Sequence, residues 1–246
     1  MRMSQRWVML CSLALVVALT ASAAAQQRRG GFGFGFGRGP QQGLVPLAAQ
    51  EPVQKDLGLS ADVVGKISSL NDEYRAAIEK EMQAAGTLDF QGLRDLPEAE
   101  RTAKLAEYTK KTTEAAAKVN TEYTPKLQAI VGADSIKRLK QIQIQAQGSE
   151  ALATADVAAE LKLTDDQKKK LADLATEYTA KQRELFNPGT DQQEARAKRA
   201  ELNKERDTKA EALLTAEQKS KYTALKGPAF DVSTLSTGRG RRGNNN

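Results

Sequence analysis

The sequence predicts an all-α protein of two tandem helical-hairpin repeat units, elongated, with a disordered Gly/Arg-rich tail at each end. Three observations carry this expectation. Residues 44–230 are dense in Ala, Leu, Lys, Glu and Gln and poor in Pro, a helix-forming alphabet. Residues 53–75 align without gaps on 157–179, a shift of 104, with 8 of the 23 positions identical. Apolar residues in both copies recur at the spacing of one helix face.

Taken in chain order, the first element is an address. Arg2 and Arg6 precede an apolar run from Val8 to Leu19, and small residues follow up to Ala23, Ala24 and Ala25. This pattern predicts a signal peptide over 1–25, cleaved after Ala25, and hence a periplasmic or secreted chain. The apolar run is well short of the ~20 residues that span a bilayer. The chain is therefore expected not to be transmembrane after processing, with an uncleaved amino-terminal anchor as the alternative. Residues 26–43 follow as a Gly/Phe/Arg-rich tail, in which Phe32, Phe34 and Phe36 alternate with glycine. Residues 231–246 form a second tail rich in Arg, Gly and Asn; both compositions lack the apolar content for a core and predict disorder.

The first repeat unit is expected over 44–148 and the second over 149–230. Each should contain four helical pieces. Short helices are expected over 46–57 and 150–161. Long helices should follow Ser60 and Thr164 and stop near Gly86 and near Asn187, Pro188 and Gly189. Val63, Ile67, Leu70, Tyr74 and Ile78 share one face of the first, as do Leu171, Leu174, Tyr178 and Leu185 of the second. Returning helices are expected over 98–130, kinked at Pro125, and over 192–213. The latter has few large apolar residues and carries Glu194–Lys198 and Glu205–Lys209 at i,i+4 instead. Closing helices are expected over 134–147 and 216–226.

Two helix starts share one motif. Leu163, Thr164 and Gln167, and Leu214, Thr215 and Gln218, have the form Leu-Thr-x-x-Gln. Chemically this is a capping box: the Thr hydroxyl accepts from the N–H three residues on, and the Gln side chain returns to the Thr N–H. The preceding Leu is expected to pack beneath the helix start. Leu59 and Ser60 are the weaker counterpart in the first unit, where Val63 replaces the Gln. Residues 130–142 align more weakly on 213–225, a shift of 83, and there residues 131–135 keep neither Thr nor Gln.

With these motifs behind a signal peptide, the chain resembles the Spy/CpxP-type, LTXXQ-motif periplasmic proteins, here as a tandem duplication. The resemblance is best over residues 150–226. It implies a bent helical cradle, often dimeric, that acts in envelope stress and in ATP-independent chaperoning. Non-native or amphipathic proteins are the partners it implies, and a homodimer is the assembly.

Composition limits the chemistry. The 246 residues include no His and a single Cys, which removes His/Cys metal sites and every His-dependent catalytic triad. No catalytic, cofactor-binding or metal residues are expected, and no enzyme. Only 5% of residues are aromatic and 40% hydrophobic, so any core must be lean and Ala-rich. The formal charge of +6 is unevenly placed: residues 44–230 hold 29 basic and 30 acidic residues. Arg28, Arg29, Arg38, Arg239, Arg241 and Arg242 lie in the tails and could bind polyanions. The partners expected for them are anionic envelope polymers or lipids, since export makes nucleic acid scarce. A structural or adhesive envelope protein acting through these tails is the competing functional reading.

Overall fold

The computed structural model describes residues 43–89, 91–185 and 192–235. The predicted signal peptide, residues 26–42 and 236–246 with all six tail arginines, and the second hairpin tip at 186–191 lie outside the described residues. The protein is all-α: the described residues form eight α-helices and three short 3-10 turns, with no strand among them.

The short helix expected over 46–57 is two helices, α1 (Leu44–Ala48) and α2 (Glu51–Asp56). Pro52 sits in the first turn of α2 and has no N–H to continue a bond back into α1, so the helix must restart there. Its copy divides at the equivalent place, into a 3-10 turn at Gly148–Ala153 and α5 (Ala155–Glu160). The duplication extends to individual backbone bonds. The Leu57 N–H donates to the Val53 carbonyl at 3.0 Å, and the Leu161 N–H to the Val157 carbonyl at 2.9 Å. Leu59 to Gln54 and Leu163 to Ala158 repeat in the same way, at 3.1 and 2.9 Å. Both turns then pass through the left-handed region, with φ 61° at Gly58 and 51° at Lys162. Glycine takes that conformation freely, whereas a lysine there costs roughly 1–2 kcal/mol.

In the first unit α3 (Ala61–Ala85) and α4 (Glu98–Gln147) pack as a hairpin. Ile67, Leu70 and Tyr74 of α3 are buried against Val119, Tyr123 and Leu127 of α4. The rings of Tyr74 and Tyr123 meet edge to face at 5.6 Å, and the Tyr74 hydroxyl donates to Asn120 Oδ1 at 2.8 Å. Gly43, assigned from sequence to the tail, belongs to the fold. It is buried against Tyr74 and Asn120, where a Cβ would lie 2.6 Å from the Tyr74 hydroxyl oxygen.

The helices expected over 98–130 and 134–147 follow one another along α4, with the break between them at Gly132, whose dihedrals are non-helical (φ 82°, ψ 168°). Pro125 lies inside α4 with helical dihedrals. It is solvent-exposed, so the carbonyl its ring leaves unbonded can be served by water. Beyond Gly132, Ile136, Leu139 and Ile142 complete the first core.

The second unit consists of α5, α6 (Asp165–Glu184), α7 (Gln192–Ala212) and α8 (Ala216–Lys226). Its core is smaller: Leu152, Val157, Ala158, Leu161, Leu163, Leu171, Ala210, Leu214 and Tyr222. Ala210 is the one fully buried residue described on α7, in keeping with its poverty in large apolar residues. The predicted pairs Glu194–Lys198 and Glu205–Lys209 close at 2.7 and 2.9 Å. Polar contacts tie α7 to the start of the unit. Asp207 accepts from the buried Ser149 hydroxyl at 2.5 Å, and Arg206 bridges to Glu150 at 2.6 Å.

Residues 231–235, assigned from sequence to the carboxy-terminal tail, are also part of the fold. Val232–Thr234 form a 3-10 turn, capped by Asp231 accepting from the Ser233 N–H at 3.0 Å. Phe230 and Leu235 pack against the first core, which composition alone could not reveal.

Candidate functional site

The two Leu-Thr-x-x-Gln motifs are capping boxes in the structure. Thr164 Oγ1 accepts from the Gln167 N–H at 3.2 Å, and Gln167 Oε1 accepts from the Thr164 N–H at 3.0 Å. The same exchange joins Thr215 and Gln218 at 3.3 and 2.9 Å. Leu163 and Leu214 are buried in the second core beneath these starts. In the first unit Ser60 Oγ accepts from the Val63 N–H at 3.4 Å, but Val63 has nothing to return. Leu59 is half-buried against the first core.

The motifs also face each other, which sequence reasoning missed. Each Gln carbonyl oxygen is turned to its own Thr N–H, so each side-chain amide nitrogen points away from its own helix. Gln167 Nε2 donates to Gln218 Oε1 at 2.7 Å, and Gln218 Nε2 donates to Gln167 Oε1 at 3.1 Å. The second N–H of each reaches the backbone that leads into the opposite motif. Gln167 donates to the Leu213 carbonyl at 2.9 Å and Gln218 to the Leu161 carbonyl at 3.3 Å. All four side-chain amide hydrogens are thus used, and the two helix starts are latched by a reciprocal amide pair. Such an arrangement holds geometry; it offers no spare donor to a ligand and no group to react. The signal that could have found it is the recurrence of Gln, which capping explains only halfway.

Two helix N-termini brought together place two positive dipole ends side by side. Asp165, Asp166 and Glu217 in the first turns offset this. Lys221 at 2.9 Å holds the Glu217 carboxyl below its usual range. Two of the three lysines at 168–170 pair with the same acids: Lys168 with Asp165 at 3.0 Å and Lys170 with Asp166 at 2.8 Å.

Above the latch, α6 and α7 border a shallow open groove. Leu174 and Leu213 form its apolar floor, and Lys170, Asp173, Glu177 and Lys209 form its rim. Nearby, Tyr178 is buried with Lys181 and Lys209 lying 4.6 and 5.4 Å from its ring centre. Its hydroxyl makes no hydrogen bond of good geometry, although Tyr178 and then Lys209 hold the neighbouring Glu205 carboxyl below its usual range. Glu precedes Tyr four times in the sequence, at 73–74, 107–108, 122–123 and 177–178; Tyr74, Tyr123 and Tyr178 are buried and Tyr108 is half-buried. Glu107, Glu122 and Glu177 pair with the lysine four residues on.

The chain matches no protein-family model, no curated protein and no solved structure. No helix among the described residues is long and apolar enough to cross a membrane. Arg28, Arg29, Arg38, Arg239, Arg241 and Arg242, expected from sequence to bind polyanions, lie outside the described residues.

Proposed function

We propose that this chain is an exported helical binding protein of the Spy/CpxP type, an ATP-independent envelope chaperone or stress-response binder of non-native and amphipathic proteins. The latch between Gln167 and Gln218 is the observation that carries the reading. It turns the motif of the resemblance into a rigid base. From that base the α6–α7 hairpin carries an amphipathic groove, with Leu174 and Leu213 rimmed by both charge signs. A surface of that kind suits weak, reversible contact with apolar segments flanked by either charge. No ATP, metal or nucleophile is needed for such binding. Aggregation of a chemically unfolding client, followed by light scattering with equimolar chain starting at Gln26, tests it. Suppression is expected, and undiminished aggregation refutes the chaperone role.

The charge partition favours a second reading. The helical middle holds 29 basic against 30 acidic residues, while six arginines lie in the two tails. Under this reading the tails attach a neutral fold to anionic envelope polymers or lipids. Removing 26–42 and 236–246 separates the two. Chaperoning survives the deletion, whereas polyanion attachment is salt-sensitive before it and lost after it.

A further inference from the structure

The segment that follows α8 leaves the unit that carries it. The helix ends at Gly227 (φ 62°), and residues 228–235 run back along the end of α4 to the first core. Their polar attachments go to backbone atoms. Gln145 Nε2 donates to the carbonyls of Lys226 and Pro228 at 2.6 and 2.9 Å, and its Oε1 accepts from the Phe230 N–H at 2.8 Å. Arg138 Nη1 donates to the Pro228 carbonyl at 2.7 Å. Only the apolar anchors Phe230 and Leu235 add side-chain specificity.

The Arg138 side of this seat is held independently of the segment. Asp56 grips Arg138 through two bonds of 2.8 and 2.9 Å, which fixes the guanidinium while leaving Nη1 to face the segment. Gln145 presents one acceptor and two donors to the backbone at the end of α8 and just beyond it. The segment itself is lightly held. Phe230, Val232 and Leu235 are half-buried and all its other residues are exposed. Few buried contacts and solvent-exposed bonds mark a region that opens at low cost.

We propose that this face of α4 is a peptide-recognition seat, occupied in cis by residues 228–235, whose partner is an unfolded segment that can take the same short 3-10 turn between an aromatic anchor and an aliphatic one five residues on. The proposal rests on the reading of the chain as a binder of non-native proteins, and it names a client surface on the first unit. Bound in cis, the chain's own segment competes with any client and lowers the apparent affinity by the fraction of time it is seated.

The probe is a fluorescein-labelled peptide of residues 227–235, titrated by anisotropy with the chain from Gln26, which keeps every described residue. Phe230→Ser with Leu235→Ser should raise its affinity at least tenfold by unseating the competitor. Adding Gln145→Ala should remove that gain, with helicity by circular dichroism unchanged. No gain on unseating, or a gain indifferent to Gln145→Ala, overturns the proposal. If the unseated variant does not fold, hydrogen exchange of the unsubstituted chain decides. Millimolar peptide should accelerate exchange of the Phe230 amide, and unchanged exchange overturns the proposal. A chain that suppresses aggregation but takes no peptide refutes the seat alone. One that takes the peptide but suppresses nothing refutes the chaperone role alone.

Discussion

Where the second unit has Gln167 and Gln218 facing each other, the equivalent positions of the first unit are Val63 and Ser135. The two copies share their turn geometry and the order of their helices, yet they are closed by different forces. The first buries Ile67, Leu127, Leu139 and Ile142 completely and packs Val63, Ile130 and Val131 around them. The second has a leaner core and joins its helix starts with four amide hydrogen bonds. A fully buried Leu contributes about 1.5–3 kcal/mol, and a net hydrogen bond about 1. A hairpin with enough hydrocarbon can therefore lose the amides, while one trimmed to small and charged residues retains them. Direction compensates for area.

The contrast can be broken most strongly in the first core. Leu139→Ala should cost about 2–5 kcal/mol in urea unfolding, because Leu139 is fully buried among large neighbours. An effect below 1 kcal/mol would mean that the first unit does not depend on its hydrocarbon. The helix breaks come next. Gly132→Ala should cost about 1–3 kcal/mol by backbone strain alone, since the added Cβ meets no atom within 4 Å. Thr215→Ala at the equivalent break should cost about 1 kcal/mol, through the lost cap. A larger effect for Thr215 than for Gly132 would reverse the proposed division. The positive-φ turns provide a smaller comparison of opposite sign. Lys162→Gly should stabilise by up to about 1 kcal/mol, whereas Gly58→Ala should destabilise, both read as shifts in melting temperature.

Acid should act on the first unit through Asp56. The Arg138 guanidinium bonded to it holds its carboxyl below the usual carboxylate range. The folded state thus binds the proton less readily than the unfolded chain. That contribution is complete above the ordinary carboxylate pKa of about 4 and is lost as pH falls through the lowered native value. Asp56→Asn should remove this part of the acid dependence, which a stability profile between pH 2 and pH 6 would register as a shallower slope.

Much of the fold was legible because it is written in local rules. Ser60, Thr164 and Thr215 mark helix starts through their own side chains, and Gly86 marks a helix end. The closing helix over 216–226 appears with the expected bounds. What was not legible depends on atoms far apart in the chain. The Gln167–Gln218 exchange joins residues 51 positions apart, and capping alone already accounts for a Gln at each place. The return of Phe230 and Leu235 to the first core is equally hidden, because a short mixed segment past the closing helix carries no periodic signal until its partner surface exists. The break between the helices expected over 98–130 and 134–147 was, by contrast, legible, and Gly132 marks it with a positive φ.

The account rests above all on the latch, and a double-mutant cycle measures it directly. Gln167→Ala, Gln218→Ala and the combined variant would be compared with the unsubstituted chain in urea unfolding. Each single change removes one capping arm and also strands the partner amide, so the combined cost should fall short of the sum by about 1 kcal/mol. Costs that add to within about 0.3 kcal/mol would mean that the two glutamines act as separate caps, and the latch would not exist.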